Sequence, residues 1–399
     1  MAPPLLRHQS SLQGFLDFSS TSVLTPDQFN QATAIFDQIV SRYEPSQAER
    51  PSPTYKHITL LRTVHESVIS KDIFLNHFFL FVDADLQRDP DASTPTFSDI
   101  LTRFDNLHSW SLEQLNEFQG TLVNFSDYLV NNFFLPLKTS GHKTPQPTPT
   151  LSLPQTSDNV VGTRNRVARL RQKCLTRDRY RCVISRKFDT IEARARWNRD
   201  RDDAKDDDGA LLKGQMPEYL EVAHILPHSL TSASSDRGNQ QLSESKKIAL
   251  QILRMFDPDA PNLIEGPDID RPTNAITLTH KWHYDMGAFK VSFQPTIDQS
   301  PHSYVIDYIN TSEPFRDPLL PINRQLYITP TKTIDPPSPR LLAIHHAIAR
   351  ILHLSGAGDY IDHIIRDMEE MTIKENGSTS LGHYIRLKID GWLDGISVC

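Results

Sequence analysis

Two short stretches hold the residues with the most chemistry to offer. The first runs Leu220-Glu221-Val222-Ala223-His224-Ile225-Leu226-Pro227-His228. The second runs Asn274-Ala275-Ile276-Thr277-Leu278-Thr279-His280-Lys281-Trp282-His283-Tyr284-Asp285-Met286-Gly287-Ala288-Phe289. An imidazole titrates near neutrality, so it can take a proton or ligate a metal. The carboxylates of Glu221 and Asp285 are hard oxygen ligands, or groups that orient a neighbour. His228 lies four residues after His224, but Pro227 intervenes, so the pair is not a helical HxxxH zinc motif. Asn274 taken alone reads equally well as a turn or capping residue. His280 shares a helix face with His283 and reads as a surface residue at the start of that helix. His345, His346, His353 and His363 read as packing or surface groups.

These side chains need elements to hold them. Val222 and Ile225 suggest a short strand ending near Pro227, and Ile276 and Leu278 alternate as a second strand. Thr279 then caps a helix carrying His280 and His283 one turn apart. Strand, loop, strand, helix makes a compact ββα unit. The loop between the strands, Ser229–Thr273, is long, and Gln251–Phe256 suggests a helix within it. Upstream, Arg164–Lys187 holds ten Lys and Arg against the single acid Asp178, a local +9 in a chain of net −7. A basic helix leading into Cys182-Val183-Ile184-Ser185 can hold a phosphate backbone or simply be a solvated face. The mixed-charge run Asp200–Gly209 reads as an exposed, poorly ordered loop.

At 399 residues the chain exceeds one typical domain. Its acidic total, 42 Lys and Arg against 49 Asp and Glu, gives no global sign of nucleic-acid binding. Helical stripes fill the first third, including Phe29–Tyr43 behind Thr25-Pro26, a run from about His57 to Val82, and segments near Phe97–Phe104 and Leu112–Phe134. Prolines from Pro145 to Pro154 make a linker of Lys138–Ser157. After Pro336, Pro337 and Pro339, two stripes broken at Gly356 and Gly358 read as an αα-hairpin. Cys174, Cys182 and Cys399 are too few for a disulfide framework, no CxxC pair offers a zinc site, and Cys174 and Cys182 read as buried small hydrophobes. Without a signal-peptide core or a membrane-length apolar run, the expectation is an intracellular protein, nuclear or cytoplasmic, not secreted and with no membrane contact.

The ordered blocks "RDRYRCVIS", "EVAHILPHSL" and "NAITLTHKWHYDMGAF" resemble the HNH (ββα-metal) nuclease superfamily, and within it fungal HNH nuclease domain-containing proteins. The gap from Asn274 to His283 agrees, as does the His-x-x-Met-Gly-x-Phe ending, where the family usually has Phe-Gly. The resemblance covers roughly residues 160–375 and includes the C-terminal tail. Together with the helical stripes and the prolines, it implies an α+β chain: a helical N-terminal domain over 1–137, a Pro/Thr-rich linker over 138–159, an HNH domain with long insertions over 160–330, and a C-terminal helical hairpin over 331–399 packed on it. It implies hydrolysis of DNA phosphodiesters to 5′-phosphate and 3′-hydroxyl ends. Such a reaction needs an activated water and stabilisation of the departing oxygen.

By the same resemblance, His224 is the general base, His283 binds one divalent cation, and Asn274 pins the loop and orients the site. Glu221 or Asp285 supplies a carboxylate to the ion, with Mg or Mn expected before Zn or Ni. Arg164, Arg166, Arg169, Arg171, Lys173, Arg177, Arg179 and Arg181 are the expected nucleic-acid contacts. Ala223 departs from the many relatives that carry a metal-binding Asp or His there, and it motivates an alternative: an inactive HNH-fold module for nucleic-acid or protein binding. A third reading places the function in the helical ends. The catalytic reading requires the imidazoles of His224 and His283 to face one cleft.

Overall fold

The computed structural model describes residues 24–45, 54–87, 95–141, 164–232, 242–298, 300–329, 333–370 and 381–393. Thr25 starts α1 (Pro26–Tyr43) with a capping box: its hydroxyl accepts from the Gln28 amide N–H and the Gln28 side chain accepts from the Thr25 N–H. Phe36, Ile39 and Val40 lie on its buried stripe. The run expected from His57 to Val82 divides into α2 (His57–Ser67) and α3 (Lys71–Leu86). At the break, the Ile69 and Ser70 N–H groups donate to the carbonyls of Phe256 and Met255, at 3.3 and 3.0 Å. Tertiary hydrogen bonds thus replace helical ones. Then come α4 (Phe97–Asp105), α5 (Leu112–Leu129), a π-helical turn at Val130–Phe134, and α6 (Leu135–Gly141). T-shaped ring pairs, Phe36 with Phe78 at 5.1 Å and Phe78 with Phe125 at 5.5 Å, tie this layer together.

The linker expected from Lys138 begins no earlier than residue 142. Lys138, Thr139 and Ser140 are buried in α6, and the Lys138 ammonium pairs with Asp362 at 2.8 Å. The proline cluster from Pro145 to Pro154 lies outside the described residues.

The central region is α7 (Arg164–Arg177), α8 (Thr190–Asp200), β1 (Leu220–His224), α9 (Glu244–Phe256), α10 (Ala260–Ile264), β2 (Ala275–Thr279) and α11 (His280–Gly287). A second antiparallel sheet follows, in the order β3 (Val291–Pro295), β4 (Ser303–Tyr308), β5 (Ile322–Gln325). The fold is α+β, and α9 includes the helix expected near Gln251–Phe256. The mixed-charge run is largely exposed, as expected, but it is tied down rather than loose. Asp206 is buried, pairs with Arg181, and accepts from the Asp208 and Ala210 N–H groups.

At the C-terminus, α12 (Pro339–Ser355) and α13 (Ala357–Glu370) form the expected hairpin, with Gly356 at φ 74°, the left-handed conformation that ends a helix at little cost in glycine. A further helix, α14 (Leu381–Ile389), follows it. One continuous buried cluster runs from Ile35 and Phe78 through Ile276 and Trp282 to Ile348 and Trp392. Among the described residues, no helix is long and apolar enough to cross a membrane.

Candidate functional site

β1 and β2 pair antiparallel, with Leu220 opposite Thr279, Glu221 opposite Leu278, Val222 opposite Thr277, Ala223 opposite Ile276 and His224 opposite Ala275. Cross-strand partners share a face and successive residues alternate. Val222 and Ala275 pack with Leu170 and Cys174 of α7, so His224 lies on the α7 face. Glu221 and Ala223 therefore look the other way, toward α11. That short helix is clamped from two sides. His345 of α12 donates Nε2–H to the Met286 carbonyl at 3.0 Å, and a Cβ on Gly141 of α6 would stand 2.4 Å from the Gly287 oxygen.

On the α11 face the Glu221 carboxylate receives two imidazoles. Nδ1 of His283 lies 2.6 Å from Oε2 and Nδ1 of His280 lies 3.0 Å from Oε1. The His283 hydrogen bond chiefly, helped by His280 and opposed by partial burial, holds the Glu221 carboxyl down at about 2. His280, read from the sequence as a surface residue, is exposed yet belongs to this group. Asp285 does not. It sits two residues past His283, on the far side of the helix, where its carboxylate accepts from the Tyr308 hydroxyl at 3.1 Å and burial raises its pKa. The expected Asp285 ligand is therefore corrected: helical geometry turns it away from Glu221 and His283.

On the α7 face, His224 meets a partner that sequence reasoning missed. Its Nε2 lies 3.2 Å from Oδ1 of Asp270, and both side chains are 1% exposed. Arg166 approaches the other Asp270 oxygen at 3.8 Å. The buried His228 ring stands 5.8 Å from that of His224, and burial, reinforced by the charge of His224, pushes its pKa down to about 4. Asn274, fully buried, ties the intervening loop. Its Oδ1 accepts from the Leu226 N–H at 2.9 Å, and its Nδ2 donates to the carbonyls of Leu226 and Ile269 at 3.0 and 3.1 Å. Asp270 precedes Asn274 by four residues but is 46 residues from His224, a distance no motif spacing bridges.

His224 and His283 are tied to different carboxylates, Asp270 and Glu221. His283 is anchored to Glu221, and Glu221 and His224 are separated by three strand positions, about 10 Å along the strand, and project from opposite faces. The structure brings together two groups: Glu221 with His280 and His283, and His224 with Asp270, His228 and the loop held by Asn274.

The basic segment also separates. Arg177, expected at the nucleic acid, is fully buried. It forms a bidentate pair with Asp178 at 2.9 Å and donates to the carbonyls of Pro272 and Ala275 at 2.7 and 2.8 Å. Asp178 in turn accepts from the Thr277 N–H at 3.1 Å. Arg177 is thus a bracket fastening β2 to α7, and its assignment to nucleic acid is corrected. Arg171 donates to the Leu220 carbonyl at 2.8 Å, and Arg179 and Arg181 pair with Asp208 and Asp206. Arg169 and Lys173 are exposed on α7; the side chain of Arg164 lies outside the described residues.

A divalent ion is implied by the resemblance, and its fit can be tested on the donor set. Among the described residues, no three His, Cys, Asp or Glu side chains are grouped to hold a metal ion. Both oxygens of Glu221, the nearest carboxylate to His283, already accept from imidazoles. The residues present do not fit a preformed metal cage.

Compared with known proteins, residues 182–294 match the family model described as HNH endonuclease. The matched stretch includes β1, β2 and α11, and with them Glu221, His224, Asp270, Asn274 and His283. No curated protein and no solved structure matches the chain.

Proposed function

We propose, taking residues 182–294 as a domain of the HNH nuclease superfamily, that this chain is an endonuclease that hydrolyses phosphodiester bonds in DNA. The observation that carries the reading is the acidic partner on each motif histidine, Asp270 on His224 and Glu221 on His283. Other histidines of this chain are held differently: His77 donates to the Ile73 carbonyl at 2.8 Å and His345 to that of Met286 at 3.0 Å, while His57 lies 3.7 Å from Asp127, longer than either motif pair. A carboxylate does more, because it fixes the tautomer and stabilises the imidazolium formed when the ring takes a proton.

In this reading His224 is the general base. With Nε2–H donated to Asp270, the basic lone pair is on Nδ1; that atom is buried in this structure, so it must be uncovered before it takes the proton of the attacking water. Asn274 sets the loop that follows the base, and Glu221 orients His283 rather than serving as an ion ligand. HNH nucleases generally use a divalent metal ion. Since the donors here do not converge, no step is assigned to one, and Mg or Mn before Zn or Ni is a choice for the assay. The products are 5′-phosphate and 3′-hydroxyl ends.

Supercoiled plasmid incubated with the full chain and Mg or Mn is nicked or linearised, and EDTA stops it. His224→Ala slows cleavage about 10²- to 10⁴-fold, the range of a lost general base. Equal cleavage by this variant overturns the assignment. A non-catalytic HNH-fold module is the second reading, favoured by the 1% exposure of the His224 side chain. Salt-sensitive DNA binding without cleavage at any divalent ion selects it.

A further inference from the structure

Beside the HNH sheet, a solvent-open cavity of about 480 Å³ is lined by Arg179, Arg186, Arg324 and Tyr327. Arg186 and Arg324 have no part in the site described above. The guanidiniums of Arg179 and Arg186 lie 4.7 and 4.3 Å from the Tyr327 ring centroid. Arg186 donates Nη2–H to the Gln325 carbonyl at 2.8 Å, while its Nη1 is buried with no hydrogen-bond partner. Arg324 donates Nε–H to the Ile184 carbonyl at 2.9 Å, and burial, with Arg186 nearby, lowers its pKa. Among the described residues, the only carboxylate paired with these three arginines is Asp208, on Arg179.

The backbone adds a separate sign. Arg179 and Arg186 stand at φ 54° and 61°, a conformation that L side chains rarely adopt and that concentrates at functional positions. Like charges crowded around a cavity, with a buried donor left over, make a site that is completed by an anion. Because two guanidiniums already lie over Tyr327, the recognition offered is charge and forked hydrogen bonding, the geometry suited to phosphate, rather than base stacking. The cavity is also fixed relative to the nuclease motif. Arg179 and Arg186 flank the turn whose Val183 N–H donates to the Thr277 carbonyl of β2 at 2.9 Å.

We propose that this pocket is a phosphate subsite that grips the backbone of a nucleic-acid strand through Arg186, Arg324 and Arg179. The proposal deepens the nucleic-acid reading above, and its test is independent of cleavage. Binding of a short labelled DNA duplex to the full chain is followed by fluorescence anisotropy in EDTA across a salt series. Arg186→Gln and Arg324→Gln each weaken binding about fivefold and reduce the slope of log affinity against log salt by about 1, as for one lost phosphate contact. Arg186→Lys keeps most of the affinity. Unchanged affinity and slope in variants that melt like the parent overturn the proposal.

Should a glutamine variant melt early, competition on the parent decides. Inorganic phosphate displaces the duplex more effectively than chloride at equal ionic strength, and equal displacement overturns the subsite. Thermal stabilisation by inorganic phosphate that vanishes in the variants, with DNA affinity unchanged, overturns the nucleic-acid assignment in favour of a free anion. DNA held through this pocket but never cut refutes the nuclease reading alone.

Discussion

Replacing Asn274 by Ala removes the tie between the loop after His224 and the segment carrying Asp270. The side chain is fully buried and makes three hydrogen bonds to backbone groups of Leu226 and Ile269, between 2.9 and 3.1 Å. Each is worth about 1 kcal/mol net, and the buried backbone groups left without Asn274 add desolvation cost, so Asn274→Ala loses about 3 to 5 kcal/mol. The Ile225 N–H to Asn274 carbonyl bond, 2.8 Å, survives because it is backbone to backbone. The loss is therefore concentrated at Leu226, whose N–H donates directly to Asn274 Oδ1. Amide hydrogen exchange on the free protein reads this without substrate. At 1.4 kcal/mol per factor of ten, Leu226 exchanges about a hundredfold faster or more in the variant. A change below about threefold at Leu226, with a parent-like melting curve, refutes the role of Asn274 as the loop pin.

Three further perturbations follow from named contacts. Arg177→Met leaves the Asp178 carboxylate buried without its pair, and denaturant unfolding should record a loss of about 3 to 5 kcal/mol. Gly141→Ala drives a methyl group into the Gly287 carbonyl at 2.4 Å, which costs about 1 to 3 kcal/mol as overpacking in a thermal melt. The Glu221 carboxyl is held at about 2 against an ordinary 4.5, mainly by His283, so its stabilisation is present above 4.5 and is lost as pH falls toward 2. Relative to Glu221→Gln, the parent should gain about 3 kcal/mol above pH 5 and lose that advantage in acid, followed by melting temperature against pH.

The helical layers are readable because their apolar residues recur at helical spacing, as in Ala32, Phe36, Ile39 and Tyr43. The break at Val68–Ser70 is not, because hydrogen bonds to the end of α9 make it. In the site, the order of Glu221, His224, Asn274 and His283 locates the ββα unit, in which the Asn274 side chain bonds the Leu226 backbone. The opposition of Glu221 and His224 was also latent in the sequence, since an odd separation along a strand puts two side chains on opposite faces. Asp270 could not be found this way, because only the folded loop brings it to His224. The basic run misled at Arg177, where charge type carries no information about burial. The acids Asp206 and Asp208 looked like a solvated loop but are partners of Arg181 and Arg179.

The proposed mechanism makes the buried Asp270–His224 pair a chemical rather than a packing device. It is tested most directly by the single-turnover cleavage rate of a DNA duplex by Asp270→Asn beside the parent. The amide preserves shape but cannot stabilise an imidazolium, so the rate should fall about 10- to 100-fold with melting temperature little changed. A parent-like rate in the folded variant rules out a chemical role for Asp270.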